Sequence, residues 1–174
     1  MKRLFIIISL GLLLPCATAF SAANSAANSS ANSAANSGDK FGDWLFECQA
    51  LAANKTKCVL SQTLINNESK QRVLRLAISK SKDGTGLRLV SVMPLGIYLP
   101  AGVTVNTERG VAIPMMLKSC TQQGCIATSV LTAENIEAIK SEKEMSVVFS
   151  VNKNTPVKLS ISLKGTRVGL KEIN

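Results

Sequence analysis

Through most of the chain after residue 39, the hydrophobic positions recur every second residue. Val157, Leu159, Ile161 and Leu163 alternate with Lys158, Ser160, Ser162 and Lys164, the pattern of an extended strand with one dry and one wet face. Leu74, Leu76 and Ile78 alternate with Arg75 and Ala77, Leu87 and Leu89 flank Arg88, and Val103 and Val105 flank Thr104. Val147, Phe149 and Val151 enclose Val148 and Ser150, so that strand is expected to be apolar on both faces. Turn formers separate the runs: Asn66-Asn67, Lys82-Asp83-Gly84, Gly96, Pro100-Ala101-Gly102, Arg109-Gly110, Gln123-Gly124 and Asn152 to Pro156. Short strands with turn signals about every 8–12 residues predict a sandwich or a barrel. One segment leaves the period. Thr132 is placed to cap a short helix over Ala133 to Lys140, with Leu131, Ile136 and Ile139 facing inward. Its expected task is to carry the chain from one sheet to the other.

The N-terminal stretch reads differently. Lys2 and Arg3 precede an apolar run from Leu4 to Leu14, and Ala17-Thr18-Ala19 follows as a small-x-small site. This is the layout of a cleavable signal peptide over residues 1–19. The run is about 11 residues, too short to cross a roughly 30 Å hydrocarbon core. An uncleaved anchor fits poorly with the neutral flank after Ala19. A lipid-modified Cys16 fits poorly with Pro15 before it. Residues 20–38 repeat Ser-Ala-Ala-Asn imperfectly, with no charge and, after Phe20, no large apolar group. Such a segment buries too little surface to offset its ordering entropy, and it reads as a disordered linker. Residues 39–174 remain as one folded domain.

Charge and cysteine usage extend this picture. The chain holds 20 Lys and Arg against 11 Asp and Glu. A positive balance favours long-range attraction to acidic surfaces, whether phospholipid or lipopolysaccharide head groups, sialylated glycans or nucleic acid. Nucleic acid is the weakest of these, because aromatic residues make up only 4% and no stacking platform or basic run is visible. Removing the signal peptide takes Cys16 with it and leaves Cys48, Cys58, Cys120 and Cys125. An even count in an exported chain reads as disulfides, and three pairings are open. Local pairing closes loops of about 11 and 6 residues, at roughly 2–3 kcal/mol each, whereas Cys58–Cys120 would close about 63 residues for roughly 4 kcal/mol. Energy does not choose between them. The turn signals beside each local pair favour Cys48–Cys58 and Cys120–Cys125.

Catalytic machinery is sparse. The chain has no histidine, which removes Ser-His and Cys-His nucleophile systems and the commonest metal ligand. The cysteine spacing is not that of a zinc site, so neither metal nor cofactor is expected. Ser79-Lys80-Ser81-Lys82 matches Ser-x-x-Lys, but that chemistry requires a helix, and here the motif ends a strand. No two acids stand in a recognisable paired setting. The expectation is a protein that is not an enzyme, with a Ser-Lys or two-carboxylate activity as the remote alternative.

The landmarks also occur in a known order: Trp44 just before Cys48, a strand from Cys58 to Gln62, and the run Met93 to Val103 containing Pro94-Leu95-Gly96, Leu99 and Gly102-Val103. Cys120-x-x-x-Gly124-Cys125, the Leu131-to-Lys140 helix and a final pair of strands follow. This order resembles the invasion-associated locus B family of exported bacterial proteins, from about Asp43 to the C-terminus. Gly165-Thr166-Arg167-Val168 departs from it, since an aromatic is expected after the glycine. The resemblance implies an all-β, immunoglobulin-like β-sandwich with one short helix and two local disulfides. It also implies a location in the periplasm, at the outer surface or outside the cell, and a part in invasion of host cells, erythrocytes among them. The alternative is a periplasmic, envelope-associated structural or accessory protein. Two candidate partner surfaces follow, facing a host-cell component or an acidic envelope surface. One is a basic stripe of Arg72, Arg75 and Arg88, if their strands are neighbours. The other is an apolar loop tip of Ile97, Tyr98 and Leu99, unless all three pack inward as a crossing strand. Trp44 is expected to plug the core.

Overall fold

The computed structural model describes residues 35–51 and 55–173. The signal peptide read over residues 1–19, and the linker as far as residue 34, lie outside the described residues. The strands are β1 (Lys40–Phe41), β2 (Trp44–Leu51), β3 (Lys55–Ile65), β4 (Arg72–Lys80), β5 (Leu87–Met93), β6 (Val103–Thr107), β7 (Ala112–Thr121), β8 (Gly124–Val130), β9 (Glu144–Asn152) and β10 (Thr155–Ser162). Helix α1 (Ala133–Ser141) joins β8 to β9, α2 (Thr166–Ile173) follows β10, and a 3-10 turn spans Leu99–Ala101. The alternating runs become strands as expected, and the turn formers fall between them. Val151 is an exception to the two-faced reading of β9, since it lies exposed beyond the buried Val147 and Phe149.

Among the described residues the strands form one antiparallel sheet in the order β1-β2-β3-β4-β5-β8-β7-β6-β9-β10. The immunoglobulin-like sandwich expected from the sequence is therefore corrected: the sheet is continuous and curls into a half-barrel. The reason lies in β7. Its first half pairs with β6, from Ala112↔Asn106 to Met115↔Val103. Its second half pairs with β8, from Met116↔Thr128 to Thr121↔Gly124, with a register shift between Leu117 and Ser119. One strand thus belongs to both halves, and no gap opens to make two layers. Helix α1 accordingly does not link two sheets but carries the chain three places along a single one. Its N-terminus is closed reciprocally, with Thr132 Oγ1 accepting from the Asn135 amide and the Asn135 side chain accepting from the Thr132 amide.

The dry faces of the strands line the inside of the curl. Trp44, Leu60, Leu76, Ile78, Leu89, Val105, Val147 and Ile161 are fully buried there. Helix α2 covers them, which corrects the single-helix expectation. Thr166, Gly169, Leu170 and Ile173 are its buried positions, spaced i, i+3, i+4 and i+7 as on one helical face. Gly169 permits the docking, since a Cβ there would press on the Leu60 methyls and the Phe41 ring. The Thr166 hydroxyl, 2.8 Å from the Ile139 and Leu163 carbonyls, ties α2 to the end of α1.

At one end of the curl the first and last strands meet. The Trp44 indole donates to the Ser162 carbonyl at 2.8 Å, the Asp43 amide donates to the Lys164 carbonyl at 3.1 Å, and the Gln62 side chain donates to the Asp43 carbonyl at 3.0 Å. Gly42 and Gly165 lie back to back at this seam with φ of 58° and 96°. A Cβ on Gly165 would run into the Phe41 carbonyl, and one on Gly42 into the Lys164 carbonyl. The described chain starts against the same domain. The Gly38 amide donates to the Phe46 carbonyl, and Ser37 bonds to both the amide and the carbonyl of Cys48.

Two outcomes are expected from this architecture. Gly165→Ala imposes a left-handed conformation on an L-residue and a collision with backbone, together worth about 3 kcal/mol; urea unfolding should show a lowered midpoint with an unchanged slope, and a loss under about 1 kcal/mol would contradict the seam. Replacing either cysteine pair by serine should lower stability by about 2–3 kcal/mol, and reductant should reproduce the loss in the unmodified protein.

Candidate functional site

The cysteines are paired locally. Cys48–Cys58 and Cys120–Cys125 each join directly opposite residues of a hairpin, with Cα atoms 4.0 and 3.9 Å apart. The bridges brace β2 against β3 and the far half of β7 against β8.

The three arginines of the expected stripe do not form one. Arg75 and Arg88 lie on the outer face of the sheet, where Arg75 is opposite Val92 and Arg88 opposite Ser79. Both line a shallow groove of about 500 Å³ floored by Val59, Ala77, Val90 and Val92. Arg75 is neutralised by Glu47 at 3.0 Å, with Ser61 Oγ a further partner at 3.3 Å. Arg72 reaches elsewhere and donates to the Gln123 carbonyl at 2.6 Å, at the β7–β8 turn.

The apolar loop divides. The Tyr98 amide donates to the Ser150 carbonyl and holds the loop on β9. Ile97 is buried, Tyr98 half-buried and Leu99 51% exposed. Leu95, at 57% exposure, joins Leu99 at the tip, and neither the all-outward nor the all-inward arrangement describes it.

Ser79 is buried in β4, and its hydroxyl lies near the Lys80 carbonyl and the Arg88 guanidinium. No lysine ammonium is among its recorded hydrogen-bond partners, and the local backbone is strand rather than helix. Among the described residues, no three of His, Cys, Asp and Glu converge as a metal site. The buried carboxylate, Glu142, accepts from the Arg109 amide while Glu108 accepts from the Lys143 amide, a reciprocal clasp between the β6–β7 turn and the start of β9.

A second concavity, not assembled by sequence reasoning, lies at the opposite end of the curl from the seam. The end of β2 and the start of β3, paired through Leu51 and Lys55, sit beside the β4–β5 turn there, because the register places Val59 opposite Ser79 and Lys80 opposite Leu87. Lys55, Lys57, Lys80, Lys82 and Arg88 line a cleft of about 700 Å³, with Glu172 as its one acidic member. The adjoining Asp83 folds back on its own turn. The Thr85 backbone amide, 3.2 Å away, and then the Thr85 side chain hold its carboxyl below the usual carboxylate range. The signal for this cleft was present only as lysines scattered over two segments. Their convergence depends on strand register, which alternation alone does not reveal.

Comparison with known proteins places this domain. The sequence profile of the "Invasion associated locus B (IalB) protein" family matches residues 44–174. Two invasion protein B homologs, from Brucella abortus (strain 2308) and Brucella abortus biovar 1 (strain 9-941), are each 28% identical over 134 residues, covering 76% of this chain and 76% of the relative. The crystal structure of invasion associated protein B from Bartonella henselae superimposes with a TM-score of 0.67 at 19% identity, covering 78% of this chain and 92% of that one, and shows that the fold is shared. With the profile match running from the core tryptophan of β2 through the covering helix α2, the chain belongs to the invasion associated locus B family.

Proposed function

We propose that the protein is exported and acts without turnover, through surface contact, in bacterial invasion of host cells. The observation that carries this reading is the family match over residues 44–174, which spans nearly the whole described domain. The relatives named for invasion match this chain over 76% of their own length, which supports reading that role in the half-barrel. Two bridges closing hairpins support an oxidising compartment. The outer groove, the Leu95–Leu99 tip and the basic cleft are surfaces suited to recognition, and none gathers the acid, base and nucleophile that turnover requires.

A strain lacking the protein should invade host cells severalfold less than its parent. Expression of the full chain should restore invasion, and a form without residues 1–19 should not. Undiminished invasion by the deletion strain, with the protein confined to the periplasm on fractionation, would replace this reading with an envelope-accessory role.

A further inference from the structure

We propose that the cleft between the β2–β3 and β4–β5 hairpin ends binds a linear anionic glycan through its sulfate or carboxylate groups. The proposal names a partner class for the surface-contact reading and rests on it. Lys55, Lys57, Lys80 and Lys82 are exposed, and Arg88 is half-buried at the inner wall. None of the five has a carboxylate within salt-bridge distance among the described residues, where the recorded ion pair is Arg75–Glu47. The acidic neighbours are otherwise engaged. Glu172 accepts from the Ala35 amide at 3.1 Å, and Asp83 accepts from the Thr85 amide. Five like charges converging on one recess repel one another, an arrangement that a multivalent anion relieves. The Ser81 hydroxyl, enclosed at the same wall, has no hydrogen-bond partner.

Shape selects among anions. A volume of about 700 Å³ lies within the range of specific ligand sites. A bilayer surface is broad and flat, and its head groups would meet the rim lysines without reaching Arg88 at the inner wall. A single nucleic-acid strand is held largely by stacking on aromatic side chains, and among the described residues none lines this cleft. A glycan chain is narrow enough to lie in the recess. Its charged substituents would meet the lysines along the rim, and its ring faces would rest on the exposed Leu51. Lys57 and Arg88 also line the outer groove, so a longer chain has a continuous path out of the cleft.

The test uses the purified full chain and a heparin-derived oligosaccharide as the probe, with affinity measured by titration calorimetry at low and high salt. K55Q/K57Q/K82Q removes three exposed cleft lysines, and K118Q/K153Q/K158Q removes three exposed lysines elsewhere at the same cost in net charge. Circular dichroism verifies that both variants fold. The expected result is saturable binding weakened at least about tenfold, or about 1.4 kcal/mol, by the cleft variant and almost unchanged by the control, with a shallower salt dependence for the cleft variant. Equal losses in both variants, no saturable binding, or tighter binding to anionic phospholipid vesicles or to single-stranded DNA would overturn the proposal. Those results leave the invasion reading standing. Conversely, intact cleft-dependent binding with normal invasion by the deletion strain removes the invasion reading and leaves the site.

Discussion

The fold depends on the seam where the β1–β2 turn meets the end of β10. A ten-stranded antiparallel sheet with one apolar face has no intrinsic reason to stop curling at a particular width. Here the Trp44 indole fixes that width by reaching the Ser162 carbonyl, and the backbone on either side approaches so closely that only glycine fits at residues 42 and 165. Trp44 therefore fills the core with its ring and fastens the two flanks of the sheet with its nitrogen. Once the flanks are held, the interior becomes a trough of set depth, and α2 docks into it as a lid whose small residue faces Leu60.

This closure also sorts the surface. The interior is committed to packing, leaving the outer groove, the loop tip and the end of the curl remote from the seam as the surfaces open to solvent. The Cys48–Cys58 bridge stiffens the hairpin between the outer groove and the cleft and contributes to the wall of each. The sheet's rigidity gives cations such as the exposed Lys57 and the half-buried Arg88 fixed spacing, which flexible loops would not provide. Arg75 illustrates the opposite case: paired with Glu47, it contributes to the face of the sheet but offers little net charge to a ligand.

Much of this was legible in the sequence, and the parts that were not share a cause. Strands such as Leu74–Ile78 and Val157–Leu163 declare themselves because alternation is a local property, as is the Thr132 cap of α1. The curl is not local. It arises because β7 changes partner midway, and nothing in Ala112 to Thr121 states which neighbours it will have. Helix α2 did carry a signal, the spacing of Thr166, Gly169, Leu170 and Ile173, but it follows directly on the alternating run into Leu163. A glycine in its middle also lowers helix propensity by about 1 kcal/mol relative to alanine. The disulfides were legible because the turn signals bring each pair together. The lysine-lined cleft was not, since Lys55 and Lys57 approach Lys80 and Lys82 only through pairing of β3 with β4.

The bond from the Ala35 amide to Glu172 pins the first described residue to the domain. That point lies at the rim of the lysine-lined recess, beside the last turn of α2. A single carboxylate therefore does two things there: it holds the chain, and it tempers the positive field of the lysines around it.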